Sequence, residues 1–235
     1  MTPFLGEFTG TALLVILGQG VVANVVLNKT KGHNSGWIVI CFGWGMAVFV
    51  GVYSSAAASG AHLNPAVTLA FAVLGKIKWD LVPLYLAAQM LGAMTGSLLA
   101  WLTYRHHFEQ TSDADAKLAV FATGPAIRSS IDNLLTEIIG TFILIWGVLF
   151  IASPANSLGA LDALPVGLLV LAIGLSLGGP TGYAINPARD LGPRIMHALL
   201  PIPQKRDSDW SYAWIPVAGP LIGGLLAAGA FRLLR

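Results

Sequence analysis

The chain is poor in charge and in cysteine. Only 10% of its 235 residues are Asp, Glu, Lys or Arg, where soluble domains carry roughly 25%, and 55% are hydrophobic. With a mean hydropathy of +0.73, this excludes an ordinary soluble protein. The single cysteine, Cys41, excludes an internal disulfide and any cysteine-based metal cluster. It lies in an apolar run, where an inert buried thiol is expected. The net charge is +2, and the 13 basic residues are scattered through polar stretches, so no nucleic-acid surface is implied. No Ser/His/Asp or Cys/His pair and no cluster of metal ligands is legible. Neither catalysis nor a cofactor is expected. A cleavable leader is not expected either: Glu7 comes early, no basic segment precedes the first apolar run, and that run can span.

What the chain does have is length without charge. The charge-free runs are Phe8 to Asn28 (21 residues), Leu81 to Tyr104 (24), Ile138 to Leu161 (24), Ala163 to Ala188 (26) and Trp210 to Phe231 (22). About 20 apolar residues cross a bilayer, so each is long enough. Gly32 to Gly75 runs for 44 residues, one span plus about half of another. This predicts an all-α membrane protein with helices at 4–27, 36–58, 81–104, 132–153, 163–178 and 211–232, and half-helices at 65–74 and 187–199. Close packing of small residues is expected at Gly6/Gly10, Gly92/Gly96 and Gly219/Gly223.

The half-helices are predicted from two near-copies of one motif, Asn64-Pro65-Ala66 and Asn186-Pro187-Ala188. Asn is a preferred helix N-cap and Pro is favoured at the first helical position. Each triplet therefore starts a helix inside apolar sequence. The surroundings repeat as well: Glu7 and Glu137 open similar segments 130 residues apart (137 minus 7). The asparagines lie 122 apart (186 minus 64). Each half holds three spans. An odd number makes the second half enter from the opposite face, so the 3+3 repeat is inverted and the half-helices are re-entrant from opposite sides. Residues 1–105 and 132–235 are the pseudo-repeats, joined by a loop over 106–131, within one transmembrane domain 1–235. With a cytoplasmic N-terminus, Lys76, Lys78, Arg232 and Arg235 fall inside and seven basic residues outside. That count runs against the positive-inside rule.

Two helix N-termini facing one pore each carry about half a positive charge, which repels cations. The asparagine oxygens cap the helices and leave the NH₂ groups as donors to a neutral solute. The segments before each Asn are not helical, and the carbonyls of Gly60, Ala61, His62, Gly182 and Ala184 form an acceptor ladder, tolerated at membrane depth only along a wet cavity. Arg189 is either a pore-lining donor or a structural partner of Asp190. Asp190 and Arg194 have the four-residue spacing of a helical ion pair. Glu7 and Glu137 either accept bonds from loop N–H groups or couple transport to protons. His62 either braces its loop or faces the pore.

SGAHLNPAVTLA and GYAINPARDLGPR, together with the glutamate helices, resemble the major intrinsic proteins, the aquaporin and glycerol-facilitator family, over essentially the whole chain. The resemblance implies a multi-pass protein of the cell membrane, a homotetramer with one pore per subunit. It places a selectivity filter on Trp44, Gly174, Tyr183 and Arg189. Glycine at 174, where water-selective relatives usually carry His, leaves room. Trp44 and Tyr183 then offer an apolar corner with Arg189 opposite, as suits a polyol. Pro216-Val217 also fits the aquaglyceroporin branch. The implied function is passive diffusion of glycerol and water, excluding ions and protons. Size and neutrality add dihydroxyacetone, urea, hydrogen peroxide and protonated short organic acids. The alternatives are a water-selective channel of the same fold and a proton-coupled transporter.

Overall fold

The computed structural model describes residues 1–151 and 159–234. These residues form helices and connections, with no strand among them. Helix α1 (Pro3–Val26) is followed by α2 (Trp37–Ser59), the short α3 (Pro65–Val73) and α4 (Val82–Gln110). Helix α5 (Ala114–Phe121) lies in the connection. The second half repeats the order with α6 (Ser130–Ile151), α7 (Ala163–Leu177), the short α8 (Pro187–Leu199) and α9 (Ile215–Leu233). Among the described residues five helices, α1, α2, α4, α6 and α9, are long and apolar enough to cross a membrane. The sixth, α7, has only 15 residues and is preceded by a single helical turn at Gly159–Asp162.

Packing follows the repeat. Helix α1 lies against α2 and α4, and α6 lies against α7 and α9. The half-helices cross over: α3 packs on α9, and α8 packs on α4. Glycine makes the closest approaches possible. A Cβ at Gly96 would come 2.4 Å from the Ala12 carbonyl oxygen, and one at Gly223 would come 2.3 Å from that of Ile138. Those contacts hold α4 on α1 and α9 on α6.

Three boundaries differ from the sequence expectation. Helix α4 continues to Gln110, six residues past 104, because His107 and Phe108 pack inward; His107 Nδ1 lies 3.0 Å from the Asn28 carbonyl. The stretch 106–131 is not all loop. Asp113 caps α5 by accepting from Asp115 and Ala116 N–H (2.8 and 3.0 Å), and Leu118, Val120 and Phe121 are buried. Helix α9 starts at Ile215, not 211, since residues 209–215 close as turns and Pro216 favours a helix start there. The expected tip of the fourth span, 152–153, and Arg235 lie outside the described residues.

Candidate functional site

Both half-helices start as their sequences dictate. The Asn64 side chain accepts from the Ala66 N–H at 2.9 Å, and Asn186 accepts from Ala188 and Arg189 at 3.0 and 3.2 Å. Pro65 and Pro187 occupy the first helical position. The two N-termini meet. Asn64 Nδ2 donates to the Ile185 carbonyl and Asn186 Nδ2 donates to the Leu63 carbonyl, both at 2.8 Å. An amide NH₂ carries two hydrogens, so each asparagine keeps one donor. The NH₂ groups expected as donors to solute thus each spend one hydrogen on the bond that ties the halves together.

The loops entering these caps are strained in the same way. Ala61 and Leu63 have φ of 51°, and Tyr183 and Ile185 have 39° and 44°. Left-handed backbone costs a non-glycine residue roughly 1–2 kcal/mol. Gly60 and Gly182 also take positive φ, where glycine costs least. Two buried carboxylates hold the conformation. Glu7 accepts from His62 N (2.9 Å), Leu63 N (2.7 Å), Ser59 Oγ (2.7 Å) and Gln89 Nε2 (2.7 Å). Glu137 accepts from Ala184 N (3.0 Å), Ile185 N (2.9 Å) and Thr181 Oγ1 (2.7 Å). Each thus accepts the N–H groups of its loop, and Glu7 is joined to α4 through Gln89 as well.

Between the halves runs a cavity of about 550 Å³. Trp44, Tyr183 and Arg189 line it, as do Asn64, Asn186, Tyr53, Ala57 and Asp162. Gly60, Ala61, His62 and Ala184 line it too, and their carbonyls accept no hydrogen bond among the described residues. Gly182 does not line it and lies against Thr123 instead. The Leu63 and Ile185 carbonyls are taken by the opposing asparagines. Pro65, Ala66, Pro187 and Ala188 are buried behind the surface of the cavity.

The filter positions differ from expectation in two respects. The space beside Gly174 is not open: a Cβ there would stand 2.8 Å from Tyr183 Cζ and 3.1 Å from Cys41 Sγ. The Tyr183 ring fills the gap, seated also on Gly178 and edge-on to Trp37 at 5.8 Å. Second, Arg189 does not stand opposite Trp44. Its Cζ lies over that ring, 4.0 Å from the centroid, a cation–π contact. Asp190 bonds elsewhere, accepting from Thr123 N (2.7 Å) and Arg194 Nε (2.8 Å). The Arg189 guanidinium makes no hydrogen bond among the described residues, so its donors are free to meet solute.

Arg194 is fully buried and gathers the segments over α8. It donates to Asp190 and to the carbonyls of Thr123 (2.8 Å), Ser208 (2.7 Å) and Asp209 (3.2 Å). Lys205 Nζ caps the far end of α8 through the carbonyls of His197, Ala198 and Leu200. Burial holds the Lys205 ammonium below the ordinary lysine range. His62 is braced, with Nδ1 3.1 Å from Thr68 Oγ1 and its ring between Phe71 and Tyr85, while one edge meets the cavity. Sequence reading missed Gln89, which joins Glu7 to Thr68 at 2.7 and 2.9 Å. An amide inside the charge-free run 81–104 was the available signal.

Known proteins share this arrangement. The family description "Major intrinsic protein" matches residues 1–231. A probable glycerol uptake facilitator protein of Thermotoga maritima is 61% identical over 235 residues, covering 100% of both chains. A glycerol uptake facilitator protein of Streptococcus pneumoniae is 54% identical over 233 residues, 99% of each. The X-ray structure of the aquaglyceroporin from Plasmodium falciparum superposes with a TM-score of 0.87 at 33% identity, over 97% of this chain and 93% of that one. With six apolar helices and two opposed half-helices among the described residues, and this likeness over nearly its full length, the chain is an integral membrane protein and belongs to the major intrinsic protein family.

Proposed function

We propose that the protein is a passive channel for glycerol and other small uncharged solutes, with water, and that it refuses ions and protons. The observation that carries this reading is the meeting of Asn64 and Asn186 within one continuous cavity. Two helix ends there sum to about one positive charge, unfavourable for any cation. The remaining Asn hydrogens bind a solute oxygen from both sides, so a water at that point cannot relay a proton. The carbonyls of Gly60, Ala61, His62 and Ala184 accept from solute hydroxyls, which removes the cost of unpaired acceptors at membrane depth. In the filter, Arg189 donates to a hydroxyl while Trp44 and Tyr183 meet CH groups. Glu7 and Glu137 are positioning residues for the loops, not proton carriers, and Asp190 and Arg194 hold α8 in place.

The facilitators named above lend glycerol its priority. Dihydroxyacetone, urea, hydrogen peroxide and protonated short organic acids fit the same chemistry. Residues 1–105 and 132–235 act as one channel domain joined through 106–131, embedded in lipid of the cell membrane. The assembly is a homotetramer, to which the exposed apolar faces such as Leu91, Leu99, Ile139 and Ile143 are suited. The protein catalyses nothing and holds no cofactor. A second reading, a water-selective pore, has one observation in its favour: Tyr183 stands in the space that Gly174 leaves.

Light scattering of vesicles carrying the purified protein tests the reading. Glycerol re-swelling should exceed that of empty vesicles, rise linearly with the gradient and ignore an imposed pH difference. Fast water movement with glycerol at the empty-vesicle rate would establish the second reading. Saturation that follows the proton gradient would establish a coupled transporter.

A further inference from the structure

Trp44 owes its position to a residue outside the cavity. On α1, a Cβ at Gly18 would stand 2.2 Å from Trp44 Cζ3, 2.3 Å from Cε3 and 2.5 Å from Cη2. Carbon atoms rest at about 3.5–4.0 Å, so the ring occupies the volume that a side chain at 18 would need. The same ring carries the Arg189 guanidinium at 4.0 Å. Trp44 is 3% exposed, so it is hemmed in by protein except at the cavity. Gly18 itself does not line the cavity.

We infer that Gly18 is a specificity-determining positioning residue: by yielding its space to the Trp44 ring, it fixes the Trp44–Arg189 pair and with it the width of the filter. Any larger side chain at 18 drives the ring toward the cavity, the direction with room. A narrowed filter obstructs a polyol more than a single water. The inference rests on the channel reading above.

The test measures glycerol and water permeability of proteoliposomes containing the full chain with Gly18→Ala, Trp44→Ala or both. Gly18→Ala alone should lower the glycerol-to-water ratio about tenfold, the effect of about 1.4 kcal/mol added to one barrier. In the Trp44→Ala background, the same change should leave the ratio as it is, because the atoms it would meet are gone. An unchanged ratio in Gly18→Ala, or an equal drop in both backgrounds, overturns the inference. Should Gly18→Ala fail to assemble, the double variant should assemble and recover flux; failure of both overturns it too. Wild-type vesicles that pass no glycerol would defeat the channel reading itself, a result distinct from any change in ratio.

Discussion

Replacing the two asparagines by aspartates should convert the middle of the pore from cation-repelling to cation-tolerant. In Asn64→Asp and Asn186→Asp the cap acceptors remain, so α3 and α8 keep their first turns. What goes is the pair of 2.8 Å bonds from Nδ2 to the Ile185 and Leu63 carbonyls. The electrostatic change is larger. Two helix ends supply about +1 together, and each ionised aspartate subtracts one. One substitution brings the centre near zero, and two bring it to about −1. For a cation about 5 Å away, one unit of charge is worth roughly 1–3 kcal/mol at an effective dielectric between 80 and 20. Cation occupancy should therefore rise roughly fivefold to a hundredfold per substitution. A protonated aspartate can donate to the facing carbonyl and carries no charge. The current should accordingly be absent at low pH and grow as pH rises through the pKa of the new carboxyl. Potassium and proton currents across bilayers, with glycerol flux measured on the same preparation, read the effect. Wild-type ion exclusion in the double variant at every pH, with glycerol flux retained, would refute the proposed role of the opposed helix ends.

Other substitutions probe the supports. Glu137→Gln keeps one acceptor oxygen for Thr181 and Ala184 but turns an NH₂ toward the Ile185 N–H; the lost charge-assisted bond and the stranded donor cost about 2–4 kcal/mol, read as a lower melting temperature in detergent. Melting at the wild-type temperature would remove Glu137 from the account. Arg194→Ala strands a fully buried Asp190 and three carbonyls, and about 3–5 kcal/mol should appear as poor yield and early melting; a variant as stable as wild type would contradict this. Gly174→His must expel the Tyr183 ring, since its Cβ alone meets Cζ at 2.8 Å. Glycerol flux should fall much further than water flux, and equal losses would count against the filter.

The parts of this protein that were legible in the sequence are those set by local chemistry or by counting. Asn64-Pro65 and Asn186-Pro187 announce helix starts because cap and proline preferences need no tertiary context. The inverted repeat follows from three spans per half. The parts that were not legible depend on tertiary contacts. Whether an asparagine hydrogen meets solute or the opposing loop depends on a partner 121 or 123 residues away. Gly174, in α7, invites an open filter until Tyr183, from the segment that follows α7, is seen to fill the space. Helix α5 has only eight residues, too short to stand without the contacts that bury Phe121 and Leu118. That Gly182 lies against Thr123 rather than along the cavity is likewise a tertiary contact, which no spacing rule conveys.

Selectivity in this channel requires a pore that admits neutral solute while its centre stays positive. Wild-type vesicles loaded with a pH-sensitive dye, placed in one experiment under a glycerol gradient and a pH gradient, measure both at once. Glycerol should enter rapidly, read by light scattering, with a dye signal no faster than in empty vesicles. Proton entry that accelerates together with glycerol entry would contradict it.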